Sequence, residues 1–182
     1  MKKHLVLSLA LAVLAGCASA PNIQYFTLDM TPSNEPTPGL RVLVDDIRVS
    51  EAVTHKDIMI KTSPTEVEYY ATAQWAASLG ELVTEKLQEE FGDTAGEGEL
   101  LLLSGRLMAF EQVDVAGGAE AHLKLAVTVQ GAQDARTDPP VLDRTYNITV
   151  PADSASPEAV VRALSVCVEK AAAEIEADMA DR

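Results

Sequence analysis

Between Glu120 and Gln130 the chain alternates. Leu123, Leu125, Val127 and Val129 face one way, while His122, Lys124, Thr128 and Gln130 face the other. Successive side chains of a strand point to opposite sides, so a period of two requires a sheet with one buried and one wetter face. Ala116-Gly117-Gly118-Ala119 just before it has hairpin-turn chemistry, which makes Leu100 to Asp114 the antiparallel neighbour. Leu142 to Val150 repeats the alternation, with Tyr146, Ile148 and Val150 set against Thr145, Asn147 and Thr149. Three long strands of this kind need helices, or a second sheet, on their apolar side.

The rest of the chain supplies those helices. Trp75, Leu79, Leu82, Val83 and Leu87 recur at helical spacing, so Trp75 reads as the first residue of a helical stripe, with the Lys86 stem at the stripe's edge and Gly92 as a stop. Ser156-Pro157-Glu158 has the N-cap, proline and first-turn acid of a helix start. An apolar stripe runs from Val160 to Met179 behind it. Upstream, Tyr25 to Leu28, Leu40 to Val49, Ile58 to Lys61 and Glu66 to Tyr70 read as four strands. In the second of these, Val42 and Val44 share one face, and Leu43, Ile47 and Val49 favour the other. The expected order is ββββαβββα. Without βαβ repeats, the expectation is a single α+β domain with a mainly antiparallel sheet and both helices packed against it.

Residues 1–16 do not fit that domain. Lys2 and Lys3 precede an apolar run, Leu5 to Leu14, broken only by Ser8. At about ten residues it has the length of a signal-peptide core; a membrane span needs roughly twenty. Leu14-Ala15-Gly16-Cys17 follows. Small residues before a cysteine form a lipobox: the thiol takes diacylglycerol in a thioether, and the small residues admit the peptidase. The expectation is a lipoprotein leader over 1–16, covalent lipid on Cys17 as the only attached group, a short tether over 17–22, and a periplasmic domain over 23–182. A plain secretory cleavage near Ala18-Ser19-Ala20 is the alternative. Ala18 in place of aspartate favours the periplasmic face of the outer membrane over retention at the inner one.

Charge narrows the partners. The chain carries 14 Lys and Arg against 28 Asp and Glu, a formal net charge of −14. No basic footprint for nucleic acid is present. With Cys17 lipidated, Cys167 stands alone among Leu164, Val166 and Val168 and reads as a small core residue. No His-x-x-x-His, Cys pair, Gly-x-Ser-x-Gly or phosphate loop occurs, so no catalytic or metal-ligating residue is expected. Asp45-Asp46 reads as a solvated strand end rather than an acid/base pair, because adjacent strand residues diverge. Three aromatic residues are candidate contacts for a protein partner. Tyr69 and Tyr70 are consecutive, so on a strand one ring faces the core and the other faces out. Trp75 reads as core, with a partner-facing anchor as the alternative. The acidic stretch Glu169 to Asp181 reads as a solvated helix face, with a docking surface as the alternative.

Behind the lipobox come Tyr25-Phe26-Thr27-Leu28, Arg41-Val42-Leu43-Val44, Asp57-Ile58-Met59-Ile60-Lys61, Val67-Glu68-Tyr69-Tyr70 and Gln74-Trp75-Ala76-Ala77-Ser78-Leu79. In order and spacing this resembles the ABC-type transport auxiliary lipoproteins of PqiC-like type. The pattern departs at Lys61, where arginine is usual, and at Ser78, where proline is frequent. The resemblance implies a non-catalytic accessory of a trans-envelope system moving lipids or other hydrophobic compounds, with an MCE-type transport protein as partner and a homo-oligomeric state. A lipoprotein regulating a cell-wall synthase is the alternative, and an envelope hydrolase a third.

Overall fold

The computed structural model describes residues 21–33, 37, 39–92, 97–132 and 139–180. The elements are β1 (Gln24–Phe26), β2 (Arg41–Val49), a 3-10 turn (Glu51–Val53), β3 (Asp57–Ser63), β4 (Glu66–Trp75), α1 (Leu79–Phe91), β5 (Leu100–Val115), β6 (Gly118–Gly131), β7 (Leu142–Ala152) and α2 (Pro157–Ala180). The expected order holds, with the 3-10 turn added.

All seven strands join one sheet, ordered β1-β4-β3-β5-β6-β7, with β2 also paired to β5. The β3–β4, β5–β6 and β6–β7 pairs are antiparallel. However, β1–β4, β2–β5 and β3–β5 are parallel, so the sheet is mixed. β2 and β3 follow one another along one edge of the 16-residue β5, and the 3-10 turn forms the step between them. The β3–β4 hairpin thus separates β2 from the helix that carries the chain back to β5. The crossover is split, which is why no βαβ unit shows in the sequence.

Both helices lie on one side and touch each other; α1 covers β2, while α2 covers β6 and β7. The alternation of β6 and β7 is fulfilled: Leu123, Leu125, Val127, Val129, Tyr146 and Ile148 are buried beneath the helices. Cys167 joins this core, its thiol pushed up to about 12 by burial. Ile47 departs from expectation. A register shift between Val44 and Ile47 absorbs one extra residue at Asp45-Asp46, which returns Ile47 to the core with Val42 and Val44. Asp45-Asp46 is therefore a bulge within β2 rather than a strand end. Trp75 is also displaced from its expected place. It is the last residue of β4, and α1 starts only at Leu79, where Ser78 accepts the Glu81 N–H as N-cap.

Gly80 marks the closest approach of α1 to the sheet. A Cβ there would lie 2.6 Å from the Ile47 carbonyl oxygen and 3.2 Å from Val49 Cγ2. Helix propensity alone favours alanine by about 1 kcal/mol. The clash with backbone outweighs it, because such overpacking costs about 1–3 kcal/mol. Gly80→Ala should therefore lower the urea midpoint; a raised midpoint would contradict this packing.

Candidate functional site

Two features of the fold bear on function: a polar seam holding the N-terminal segment, and the sheet face that the helices leave bare. The seam follows β1. Leu28 is buried, and the Asp29 N–H donates to Ser165 Oγ of α2 at 2.9 Å. Lys86 of α1, fully buried rather than at a stripe edge, sends its ammonium to the Thr31 carbonyl at 2.8 Å. The same Nζ meets Glu90 Oε1 at 2.5 Å and Glu169 Oε1 of α2 at 3.2 Å. Glu90 in turn accepts the Ser33 N–H at 3.0 Å and hydroxyl at 2.8 Å. One ammonium thus ties the N-terminal segment to both helices with its donors satisfied, as a buried charge requires. Burial raises the Glu90 carboxyl pKa, but Lys86 and Ser33 outweigh it and hold it below the ordinary range.

Part of the acidic face of α2 is structural too. Glu169 belongs to this seam, and Asp178 receives Arg144 Nη1 at 2.6 Å and the Tyr146 hydroxyl at 2.7 Å.

On the bare face, β3 and β4 pair Met59 with Tyr69 and Lys61 with Val67. Tyr69 and Val67 are exposed there, at 40% and 49%. The Tyr69 ring sits 4.3 Å from the His55 ring. Tyr70 turns to the other side, where its hydroxyl meets Gln112 Oε1 and the Ala155 carbonyl ahead of α2. Burial, with Asp114 and Glu158, pushes that phenol up to about 12. The two rings therefore part as the strand geometry demands. Trp75 is 4% exposed and packs 5.6 Å from the Phe110 ring centroid, so it offers a partner almost no surface.

The bare face has its own polar chain. Lys61 Nζ lies 4.0 Å from Glu111 Oε1, which lies 3.1 Å from His122 Nδ1. His122 Nε2 meets Asn147 Oδ1 at 2.7 Å. The Glu111 hydrogen bond raises the imidazole pKa above its ordinary 6.5, against an opposing effect of burial. The stabilisation it carries is complete below 6.5 and fades as pH rises through the folded value. An NMR titration should place His122 above the ordinary value and Glu111→Gln should lower it; an unmoved midpoint would refute the pairing.

Sequence reasoning missed Lys86, Glu90 and Glu111. A lysine inside an apolar stripe with a glutamate four residues on was the available signal for the seam. Glu111 and His122 come together only through the β5–β6 register, which the central hairpin turn fixes. Cys17 and the leader over 1–16 lie outside the described residues. Among the described residues, no cluster of metal-ligating side chains occurs, and no helix is long and apolar enough to cross a membrane.

A family model described as ABC-type transport auxiliary lipoprotein component matches residues 26–176. Among solved structures, protein XCC0632 from Xanthomonas campestris, of family DUF330, aligns with a TM-score of 0.68 at 20% identity, over 85% of this chain and 92% of that one. An uncharacterized protein aligns with a TM-score of 0.64 at 12% identity, over 87% and 99%. These likenesses show a shared fold. No curated protein matches the sequence.

Proposed function

The chain belongs to the ABC-type transport auxiliary lipoprotein family, and from that premise we propose that it is a membrane-tethered, non-catalytic accessory of a trans-envelope transport system of MCE/ABC type. The family match carries the reading, because it spans 26–176 and so covers nearly the whole folded domain. In this reading Cys17 carries the lipid and sits at the periplasmic face of the outer membrane. The seam behind β1 supports it. A tether of 17–22 spans at most about 20 Å, and the segment that follows is clamped to both helices through Thr31 and Ser33. The domain is thereby held close to the bilayer, while Tyr69 and Val67 on the bare face remain open to a protein partner.

The test is affinity purification from detergent-solubilised envelopes through a C-terminal tag. An MCE-type protein or an ABC permease should be recovered, and Tyr69→Ala should weaken its recovery. Recovery of a peptidoglycan synthase in place of either would overturn the transport reading.

A further inference from the structure

The bare face also carries a pair of positive charges on adjacent strands. Arg48 of β2 and Arg106 of β5 are register partners on adjacent strands. Both are exposed, and among the described residues neither makes an ion pair or hydrogen bond. Like charges directly opposite each other destabilise a sheet. Their side-by-side placement is therefore a cost that no direct ion pair among the described residues relieves, although Asp45 and Asp46 line the same cleft. The next residue across the sheet from Arg106 is Ala126, whose small side chain leaves a floor beside the guanidinium. A cleft of about 460 Å³ opens here, with Ser104 and Thr128 contributing hydroxyls and Asp45-Asp46 forming an acidic lip.

We propose that this cleft binds a single phosphate group, held between the Arg48 and Arg106 guanidinium groups. Neighbouring strands stand about 4.8 Å apart. A tetrahedral oxyanion can offer separate oxygens to two guanidinium forks across that spacing, whereas a carboxylate is satisfied by one fork. Ser104 and Thr128 line the same cleft, and their hydroxyls can donate to the remaining oxygens. Inorganic phosphate and the phosphodiester of a lipid headgroup share this chemistry. The site does not depend on whether Cys17 is lipidated.

Thermal unfolding of the full chain in dodecyl maltoside tests it, with ionic strength held constant by sodium chloride. About 50 mM phosphate should raise the midpoint by about 3 °C. Arg48→Gln and Arg106→Gln should each abolish that rise while leaving the phosphate-free midpoint equal or higher, because each removes one of the opposed charges. Lys170→Gln, on α2, should keep the rise. Dihexanoyl phosphatidylglycerol below its micelle concentration is the second probe. A rise with it alone, lost in both arginine variants, supports the site with a lipid headgroup as its source. No rise with either probe, a rise that survives both variants, or a rise with acetate and none with phosphate overturns the proposal.

Discussion

Lys86→Ala should cost the fold about 3–5 kcal/mol, the range for removing one partner of a buried ion pair. The Lys86 and Glu90 side chains are both at 0% exposure. Without the ammonium, Glu90 keeps only Ser33 as a donor among the described residues, and the Thr31 carbonyl loses its Lys86 bond. Glu169, at 19% side-chain exposure, can turn to water and adds less to the loss. Lys86→Met combined with Glu90→Leu should recover most of the deficit, because a well-packed apolar pair carries no desolvation cost. Urea denaturation of Lys86→Met, Glu90→Leu and the double variant measures this directly. Singles within about 1 kcal/mol of the parent would contradict a buried, coupled pair.

The same seam sets an acid limit. A carboxyl whose pKa is depressed by folding binds fewer protons in the native state than in the unfolded one. Glu90 therefore stabilises the fold fully above its ordinary 4.5, and the contribution disappears as pH falls through the lower folded value. The predicted sign is a stability that declines with acid in the parent. The Lys86→Met/Glu90→Leu variant should show a shallower decline.

Cys17→Ser should move the protein from the membrane to the soluble periplasmic fraction. One acyl chain holds a protein only marginally, whereas two, at about 0.8 kcal/mol per buried methylene, hold it effectively permanently. The parent should accordingly resist high-salt and carbonate washes. No helix among the described residues offers another route into the bilayer. The net charge of −14 also argues against general electrostatic adhesion to anionic lipid. With the thiol gone, the plain cleavage near Ala18-Ser19-Ala20 remains open, so release is the expected fate. A serine variant that still sediments with membranes would remove the anchor from the account.

Much of the fold was legible because its signals are local. The alternation of Leu123 to Val129 set β6, the double glycine at 117–118 set its hairpin, and Ser156-Pro157-Glu158 set the start of α2. Cys167 was readable as core from its neighbours. What escaped depends on residues far apart in the chain. Parallel pairing of β2 and β3 with β5 is decided by which strand fits beside Leu100 to Val115 after the chain has passed through a hairpin and a helix, and no short window contains that choice. The bulge at Asp45-Asp46 is one inserted residue, and it reverses the face of Ile47 without altering composition. Trp75 was placed on a helix because its spacing to Leu79 and Leu82 suits either a helical stripe or a strand end. The Ser78-Glu81 cap sets the boundary three residues later.

The sites divide the same way. The opposite facing of Tyr69 and Tyr70 follows from strand geometry alone. Spacing offers only the Lys86–Glu90 pair of the seam; its links to Thr31, Ser33 and Glu169, like the Arg48–Arg106 pair, need distant segments to meet.

Intact-mass analysis of the mature N-terminus tests the central claim most directly. A first residue of Cys17 bearing diacylglycerol, with or without a third acyl chain, is the predicted result. An unmodified Cys17 thiol, or a chain that starts downstream of it, would contradict the account.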